Sequence, residues 1–396
     1  MYDVTVTGGG PAGALCAEEL AKKGFSCLLL EKSKPKRYKA CAGGISLEAF
    51  NLKPVPDYIV ERKIVLARIY SPLRSVDVGE RDEPGYTVYR TEYDQWLRDQ
   101  AQDKGAEIHY EEKVRKVTLK SCTVKGKKEY KSHVIVGAFG VCPCLYREFG
   151  VSISEWVQLI QQEFTLPEEV VSERIGNSLE IYFDSTYATW GYSWIFPKKE
   201  GVSVGLLSLP RTVRKKERLT HFVNDHQSKL KGATPKKFEK KYTFGGFIPL
   251  RPLEKTCGEN FVLVGDSAGF CDPVTYEGIS SALKSGRIAA DTIERYLEHG
   301  HPLSSYEDEW RKELYEEDLK YAQKLQNLMY GHNLSDKLAE AVVDIANDDK
   351  DMNTALRWLL NRKKPRKTVY NLIMKKKFTL LRKLGLSTVR LLPRLM

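Results

Sequence analysis

The chain has 396 residues, 42% of them hydrophobic and 29% charged, a length that suits two or three domains and a composition typical of globular proteins. Its formal net charge of +11 is local, because residues 361–396 hold twelve Lys and Arg and no acid while the remainder is close to neutral. That distribution argues against a general nucleic-acid-binding surface and for a local anionic partner, and no uncharged apolar run approaches the ~18 residues that read as a membrane span.

Residues 2–7 alternate and are β-branched, which predicts a buried strand. Residues 11–23 follow as a helix with proline in the opening turn, and 26–30 are a second apolar strand ending at Glu31. This is one β-α-β unit, and with a strand beginning at Tyr2 no cleavable leader is expected. Residues 58–78 alternate in short strands and turns. Residues 91–104 predict a helix with Thr91 as its cap and Trp96 and Leu97 on its inner face. Strands are expected near 108–110, 114–119 and 134–137. Residues 156–208, rich in Trp, Tyr, Phe and Val, predict a half-buried antiparallel sheet. A third buried strand at 261–264 leads to Gly265-Asp266, a helix covers 279–297, and everything from Tyr306 onward is helical in period.

The expected fold class is α/β: a Rossmann-like nucleotide-binding domain, an inserted antiparallel-sheet substrate domain and a helical C-terminal region. The nucleotide domain is discontinuous, at 1–57, 84–150 and 245–300; the substrate domain takes 58–83 and 151–244, and the helical region 301–396.

Gly8-Gly9-Gly10-Pro11-Ala12-Gly13 is a G-x-G-x-x-G between a strand and a helix, with Glu31 ending the next strand, as a dinucleotide fingerprint requires. Gly8 makes the tight turn, Gly10 lets the backbone approach a pyrophosphate, and Gly13 lets helix and strand pack closely. The helix start, through Ala14, offers amides and partial positive charge to phosphates. Glu31 is placed to accept ribose hydroxyls. The eight cysteines show no zinc-like Cys-x-x-Cys pairs and are expected as reduced thiols in a cytoplasmic chain, with Cys142-Pro-Cys144 incidental. No metal site is expected.

The segment 261–268, Phe-Val-Leu-Val-Gly-Asp-Ser-Ala, resembles the second flavin signature of the glutathione-reductase-like and hydroxylase-like flavoproteins. The resemblance implies FAD, with Asp266 on the ribityl chain and Gly278 and Ile279 opening a helix toward the flavin pyrimidine. It also implies Arg90 on the phosphate side and Val114 where a backbone group holds the adenine.

Three further stretches resemble the geranylgeranyl reductases, including the archaeal digeranylgeranylglycerophospholipid reductases. They are Lys39-Ala40-Cys41-Ala42-Gly43-Gly44-Ile45, Gly191-Tyr192-Ser193-Trp194-Ile195-Phe196-Pro197-Lys198, and Tyr276-Glu277-Gly278-Ile279 with Lys284-Ser285-Gly286-Arg287. The likeness covers roughly residues 1–300. It implies a hydroxylase-like flavoprotein fold, a loop carrying Cys41, Ala42 and Gly44 over the flavin, and saturation of isoprenoid C=C bonds, with ether phospholipids of archaeal type or their precursors as substrates. An isolated alkene accepts a hydride poorly unless a proton arrives nearly together, so water exclusion and an acid are needed. Tyr192, Trp194 and Phe196 are the candidate lining of an apolar tunnel. Cys41 is the candidate acid or a flavin-tuning group, and Glu277 a second acid candidate.

The sequence departs from the hydroxylase-like pattern at Ala138-Phe139-Gly140, where Phe139 replaces the Asp of an Asp-Gly motif. That loss argues against direct NADPH use and for an external donor such as ferredoxin or another reduced carrier. A flavin monooxygenase or a halogenase on an apolar substrate is the alternative activity. In the tail, Lys375, Lys376, Lys377, Arg382, Lys383, Arg390 and Arg394 alternate with Leu380, Leu381, Leu384, Leu391, Leu392 and Leu395. The pattern predicts either an interfacial helix, peripheral on the inner face of an anionic membrane, or a helix packed on the protein's own body with solvated charges.

Overall fold

A computed structural model describes residues 1–82, 85–118, 121–124, 128–210, 212, 214–238, 242–330 and 335–385. Contacts divide it into two units. The first takes Met1–Arg37, Arg90–Trp156 and Ile248–Leu319; the second takes Tyr38–Tyr89, Val157–Phe247 and the described residues from Lys320 onward.

The first unit is built on parallel strands. Tyr2–Thr7 pairs with Cys27–Leu30 on one side and Glu129–Gly137 on the other, with Glu107–His109 and Phe261–Leu263 outside them. Their near-continuous apolar runs follow from burial on both faces: Val4, Val6, Leu28, Leu29, Val134, Ile135, Val136 and Val262 are fully buried. The helices Pro11–Lys22, Arg90–Asp103 and Ile279–His299 pack on this unit, the first touching both others. Trp96 and Leu97 point inward as expected. Thr91 does not cap its helix, which starts one residue earlier at Arg90.

The second unit carries an eight-stranded sheet in the order Thr234–Lys236, Trp156–Thr165, Gly201–Ser208, Ser193–Lys198, Ser178–Tyr182, Leu66–Tyr70 and Ser75–Gly79, with Thr243–Pro249 also on Trp156–Thr165. Along that order the neighbouring strands are antiparallel except Ser178–Tyr182 and Leu66–Tyr70, which run parallel. One face carries Ile160, Phe164, Ile195, Val202, Val204 and Leu206 in an apolar core with Leu219, Phe222 and Leu230. A small sheet of Gly44–Ile45, Gly85–Val88 and Val60–Ile64 lies in the same unit.

The bounds of the two units differ from the expected domain bounds at several places, most widely in the following stretches. Residues 38–57 and 84–89 belong to the second unit, because the small sheet pairs Gly44 with Thr87 and Ile45 with Tyr86. Residues 301–319 belong to the first, because Tyr306 Oη donates to Leu263 O and Trp310 Nε1 to Thr256 Oγ1, both at 2.8 Å. The remaining tail helices belong to the second. Ser335–Asp348 and Lys350–Asn361 cover the edge strand Ser75–Gly79, where Asn347 and Asn353 side-chain amides donate to Ser75 O and Asp77 O at 3.0 Å. Covering an edge in this way removes it as a pairing template.

Of the two expectations for the tail, the helix Lys377–Leu384 meets the packed one at Leu380 and Leu384. Leu380 and Leu384 are buried, and the helix packs on Ser335–Asp348 with Lys383 paired to Asp344 and Lys376 to Asp349. These two leucines serve the protein's own core. Leu391, Leu392, Leu395, Arg390 and Arg394 lie outside the described residues. Among the described residues no helix is long and apolar enough to cross a membrane.

Candidate active site

The first unit brings together the residues expected at a dinucleotide. Gly8 has φ +117°, and a side chain there would place Cβ 2.3 Å from Ala138 O. A Cβ on Gly13 would come within 2.1 Å of Gly8 O, so helix and strand touch only because it is absent. Gly10 caps the helix Pro11–Lys22 without any side-chain cap bond, and a Cβ on it would meet nothing within 4 Å. A helix start with free amides and open space above it suits a phosphate. Ala14 donates its amide to Gly10 O and is fully buried, so its part is to fix the first turn.

Glu31 is buried, and Oε2 accepts the Gly9 amide at 3.0 Å while Oε1 accepts the Ser33 amide at 2.9 Å. A carboxylate offers about four acceptor positions, so ribose hydroxyls still fit. The Glu112 amide donates to Glu31 O at 3.0 Å, which carries the chain toward Val114 at the start of Val114–Val117.

Arg90 forms a bidentate pair with Asp94, at 2.6 and 3.0 Å, and Arg37 approaches the same carboxylate at 3.1 Å. Arg37 also lies 3.5 Å from Glu31 Oε1, so the two guanidinium groups and the carboxylates of Asp94 and Glu31 form one buried cluster beside the glycine turn. Arg98, fully buried, donates to Gly9 O at 2.8 Å and clamps the glycine turn. Sequence reasoning missed Arg37 and Arg98, since nothing local marks an arginine whose partner lies 89 residues away.

The strand Phe261–Leu263 leads into a turn at Gly265, whose amide donates to Ser285 Oγ at 2.9 Å. An Asp266 carboxylate oxygen lies 3.1 Å from the position a Cβ on Gly278 would take. Gly278 caps the helix Ile279–His299, again without a side-chain cap bond. Ahead of it Tyr276 holds φ +57°, a conformation that costs of order 1–3 kcal/mol and clusters at functional sites. Glu277, the second acid candidate, accepts from the Ser280 amide at 2.8 Å and from Ser280 Oγ at 2.5 Å, which caps the helix start. Phe139 stands where the hydroxylase-like pattern has aspartate, and its ring packs on Tyr146 and Phe149 at 5.2 and 5.5 Å between centroids.

This donor set fits FAD. Two helix starts at glycines, an acidic residue beside each and the arginines near the glycine turn suit a long diphosphate-bridged ligand at the C-terminal ends of parallel strands.

Cys41, Ala42 and Gly44 lie in the second unit, across the sheet face opposite its apolar core. Trp194 and Phe196 alternate with Ile195 and so occupy this face, 3% and 7% exposed; Tyr192, half-buried just before the strand, meets the Trp194 ring at 6.2 Å. Gly205 pairs with Trp194 on one neighbour and Gln161 on the other, and its missing side chain lets the indole lie flat on the sheet. The Phe196 ring comes within 3.4 Å of the position a Cβ on Gly44 would take. Gly43 donates its amide to Cys41 Sγ at 3.4 Å.

The same face holds ionisable groups that the sequence reading left without a role. Lys198 is buried and donates to Ala42 O at 2.7 Å and Val88 O at 2.9 Å, so it pins the cysteine loop. Burial pushes its ammonium pKa down, against the pull of Glu163. Glu163 is 1% exposed; burial pushes its carboxyl up to about 7, although Lys198 and the Tyr38 hydroxyl pull the other way. Gln161 and Glu163 sit at alternate positions of Trp156–Thr165, a strand that also holds Gln158 and Gln162, and both are buried although polar alternation reads as an exposed face. All eight cysteines are free thiols, and no group of metal-ligating side chains occurs among the described residues.

Fold and site define an FAD-dependent oxidoreductase of the hydroxylase-like flavoprotein fold. Residues 1–133 match the FAD binding domain family. A digeranylgeranylglycerophospholipid reductase of Methanocaldococcus jannaschii is 32% identical over 378 residues, covering 86% of this chain and 90% of the relative. One from Methanothermobacter thermautotrophicus is 30% identical, covering 83% and 88%. The chain belongs to the geranylgeranyl reductase family. Among solved structures, a geranylgeranyl bacteriochlorophyll reductase-like protein from Thermoplasma acidophilum superposes with TM-score 0.80 at 21% identity, covering 96% of this chain and 99% of that one. A flavin-dependent brominase follows at TM-score 0.74 and 18% identity, covering 95% and 99%, a likeness of fold alone.

Proposed function

We propose that this protein uses FAD to saturate the C=C bonds of geranylgeranyl chains in archaeal-type ether lipids or their precursors. The observation that carries the reading is the near full-length likeness to relatives named digeranylgeranylglycerophospholipid reductase. When bound and reduced, FAD supplies a hydride. The remaining work falls to the chain. Gly8, Gly10, Gly13 and Ala14 shape the phosphate-binding turn and Glu31 holds the ribose. Arg90 serves the phosphate side, a backbone group near Val114 the adenine, Asp266 the ribityl chain, and Gly278 and Ile279 the pyrimidine. The second unit is the substrate-binding domain, where Tyr192, Trp194 and Phe196 line the path of the prenyl chain and exclude water. Cys41 delivers the proton, and its loop, clamped by Lys198, lies on the same sheet face as Trp194 and Phe196.

The electron donor is an external carrier such as ferredoxin, a reading supported by the apolar packing of Phe139 in place of an aspartate. Contact with an anionic membrane surface through the basic C-terminus would bring the site to its lipid substrate, and exposed Phe378 and Lys375 support it.

The test uses purified protein loaded with FAD, reduced by dithionite under argon and mixed with a geranylgeranyl lipid. Expected are flavin reoxidation that depends on the alkene and a mass gain of two hydrogens per bond. Asp266→Ala should weaken flavin retention. Protein that takes up no FAD, or that turns over only with oxygen, sinks the reading.

A further inference from the structure

We propose that Cys142 and Cys144 form a redox-active dithiol, closed to a disulfide by exchange with external disulfides of the glutathione class, and that closure loosens the FAD-binding turn at Asp266. The second half rests on the reading of Asp266 as a flavin residue; the first half does not.

Nothing in the spacing Cys142-Pro143-Cys144 marks it as functional; the geometry does. Both residues lie in the first unit, and their Sγ atoms are 3.1 Å apart, so one thiol donates to the other. Cys142 caps the short helix Pro143–Glu148, and Pro143 between the two sulfurs has its φ fixed by its ring. An S–S bond then needs the sulfurs to approach by about 1 Å more. Cys144 is exposed and Cys142 half-buried. Burial, and then the bond to Cys144, raise the Cys142 thiol against the pull of the Leu145 amide and Lys32. The exposed sulfur therefore meets an external partner and the half-buried one resolves. Other cysteines are unsuited to exchange. Cys16, Cys27, Cys122 and Cys257 are buried, and burial pushes their thiols up and keeps them protonated.

The segment that carries the pair is tied to both turns of the candidate flavin site. It follows Ala138, whose carbonyl oxygen stands 2.3 Å from the position a Cβ on Gly8 would take. The Gly140 amide donates to Ser267 Oγ at 2.8 Å. Cys142 O accepts the amides of Leu145 and Tyr146 at 3.0 and 3.2 Å. Tyr146 is buried, and its hydroxyl lies 3.2 Å from Asp266 O and 3.4 Å from Gly140 O. One phenolic proton serves only one of these carbonyls at a time, and both separations are long for an O–H donor. A displacement of Cys142 passes through its own carbonyl to Tyr146, and so weakens the hold on Asp266.

In the closing direction the Cys144 thiolate attacks one sulfur of the external disulfide. That S–S bond breaks, a new one joins Cys144 to the carrier, and one carrier thiolate leaves. Cys142 gives its proton to water and attacks the Cys144 sulfur. An S–S bond forms within the chain and the second carrier thiolate leaves. The two cysteines lose two electrons and two protons, and the external disulfide gains both as two thiols. The reverse sequence, driven by excess reduced thiol, reopens the pair.

The experiment incubates full-length, FAD-loaded protein with reduced or oxidised glutathione and reads intact mass, peptide maps and retained FAD. Oxidised wild type should lose the mass of two hydrogens at Cys142-Pro143-Cys144 and carry no adduct there. Cys142→Ser lacks the resolving sulfur and should instead accumulate glutathione on Cys144. Closure should weaken FAD retention about three- to tenfold, the worth of one neutral hydrogen bond, and reduction should restore it. The double variant Cys142→Ser with Cys144→Ser should hold FAD equally in both mixtures. Tyr146→Phe keeps the ring and removes the hydroxyl, and should also hold FAD equally in both. A stable glutathione adduct on wild-type Cys144, or no reaction at either cysteine, overturns the exchange site. Equal FAD retention in reduced and closed wild type overturns the coupling. If neither state takes up FAD, the flavin reading and the coupling fall together, while the mass change still decides the exchange.

Discussion

Glu163→Gln tests the protonation state of the buried carboxyl by stability alone, with no substrate present. The carboxyl stays protonated to about pH 7 in the folded chain, against 4.5 ordinarily, because burial disfavours its charge. Between those values the folded state binds more protons than the unfolded one, so stability falls as pH rises across the window. Below 4.5 there is no cost, and above 7 the full cost applies. The 2.5-unit gap, at 1.36 kcal/mol per unit, amounts to about 3 kcal/mol. Glutamine has the same shape and no titration, so the variant should gain about 3 kcal/mol on wild type between pH 4.5 and 7, whatever its offset at low pH. For a unit of this size that is a relative rise in unfolding midpoint of roughly 6–12 °C, measurable by thermal scans at half-unit steps of pH. An offset that stays constant from pH 5 to 8 would refute the reasoning. It would mean that Glu163 is ionised throughout, as one half of an ordinary ion pair with Lys198.

Two other expectations follow from the flavin side and the tail. Asp94→Asn removes the charge shared by Arg90 and Arg37 and should cost about 3–5 kcal/mol as a broken buried pair; the loss should shrink on adding FAD if the freed guanidinium groups face its phosphates, and unfolding midpoints with and without FAD decide. Truncation after Gly385 should leave the fold intact and reduce co-sedimentation with anionic vesicles, whereas Leu380→Ala should cost about 2–5 kcal/mol of stability because that side chain is 1% exposed. Unchanged sedimentation on truncation removes the tail from membrane binding.

The parts legible in the sequence are those set by local pattern. The first strand, the glycine turn, the following helix and Glu31 lie within one β-α-β unit, and each is fixed by residues within a few positions of it. Gly265-Asp266 was legible because a buried strand and a glycine turn precede a helix. The rest depends on pairings the sequence does not display. Two residues, Gly44 and Ile45, join the cysteine loop to Thr87 and Tyr86, and so move 38–57 into the second unit. Leu66–Tyr70 runs parallel to Ser178–Tyr182, a partner more than a hundred residues away. Leu380 and Leu384 have the spacing of an interfacial helix, and only the presence of Ser335–Asp348 beside them decides that they are core. Gln161 and Glu163 were passed over because alternation tells which residues share a face, not whether that face meets water.

That buried face bears on how an alkene can be protonated at all. The reaction needs an apolar surface to hold the prenyl chain and a proton source beside it, and these demands conflict, since a charge in apolar surroundings is destabilising by several kcal/mol. On this sheet the two are interleaved by register. Ser203 lies between Glu163 on one neighbouring strand and Phe196 on the other, and Gly205 between Gln161 and Trp194. A neutral carboxyl resolves the conflict, because it brings a proton without a charge, and burial is itself what keeps it neutral. The apolar packing that would receive the substrate and the elevated carboxyl pKa then have one cause, and any change that lets water onto this face should lower both together.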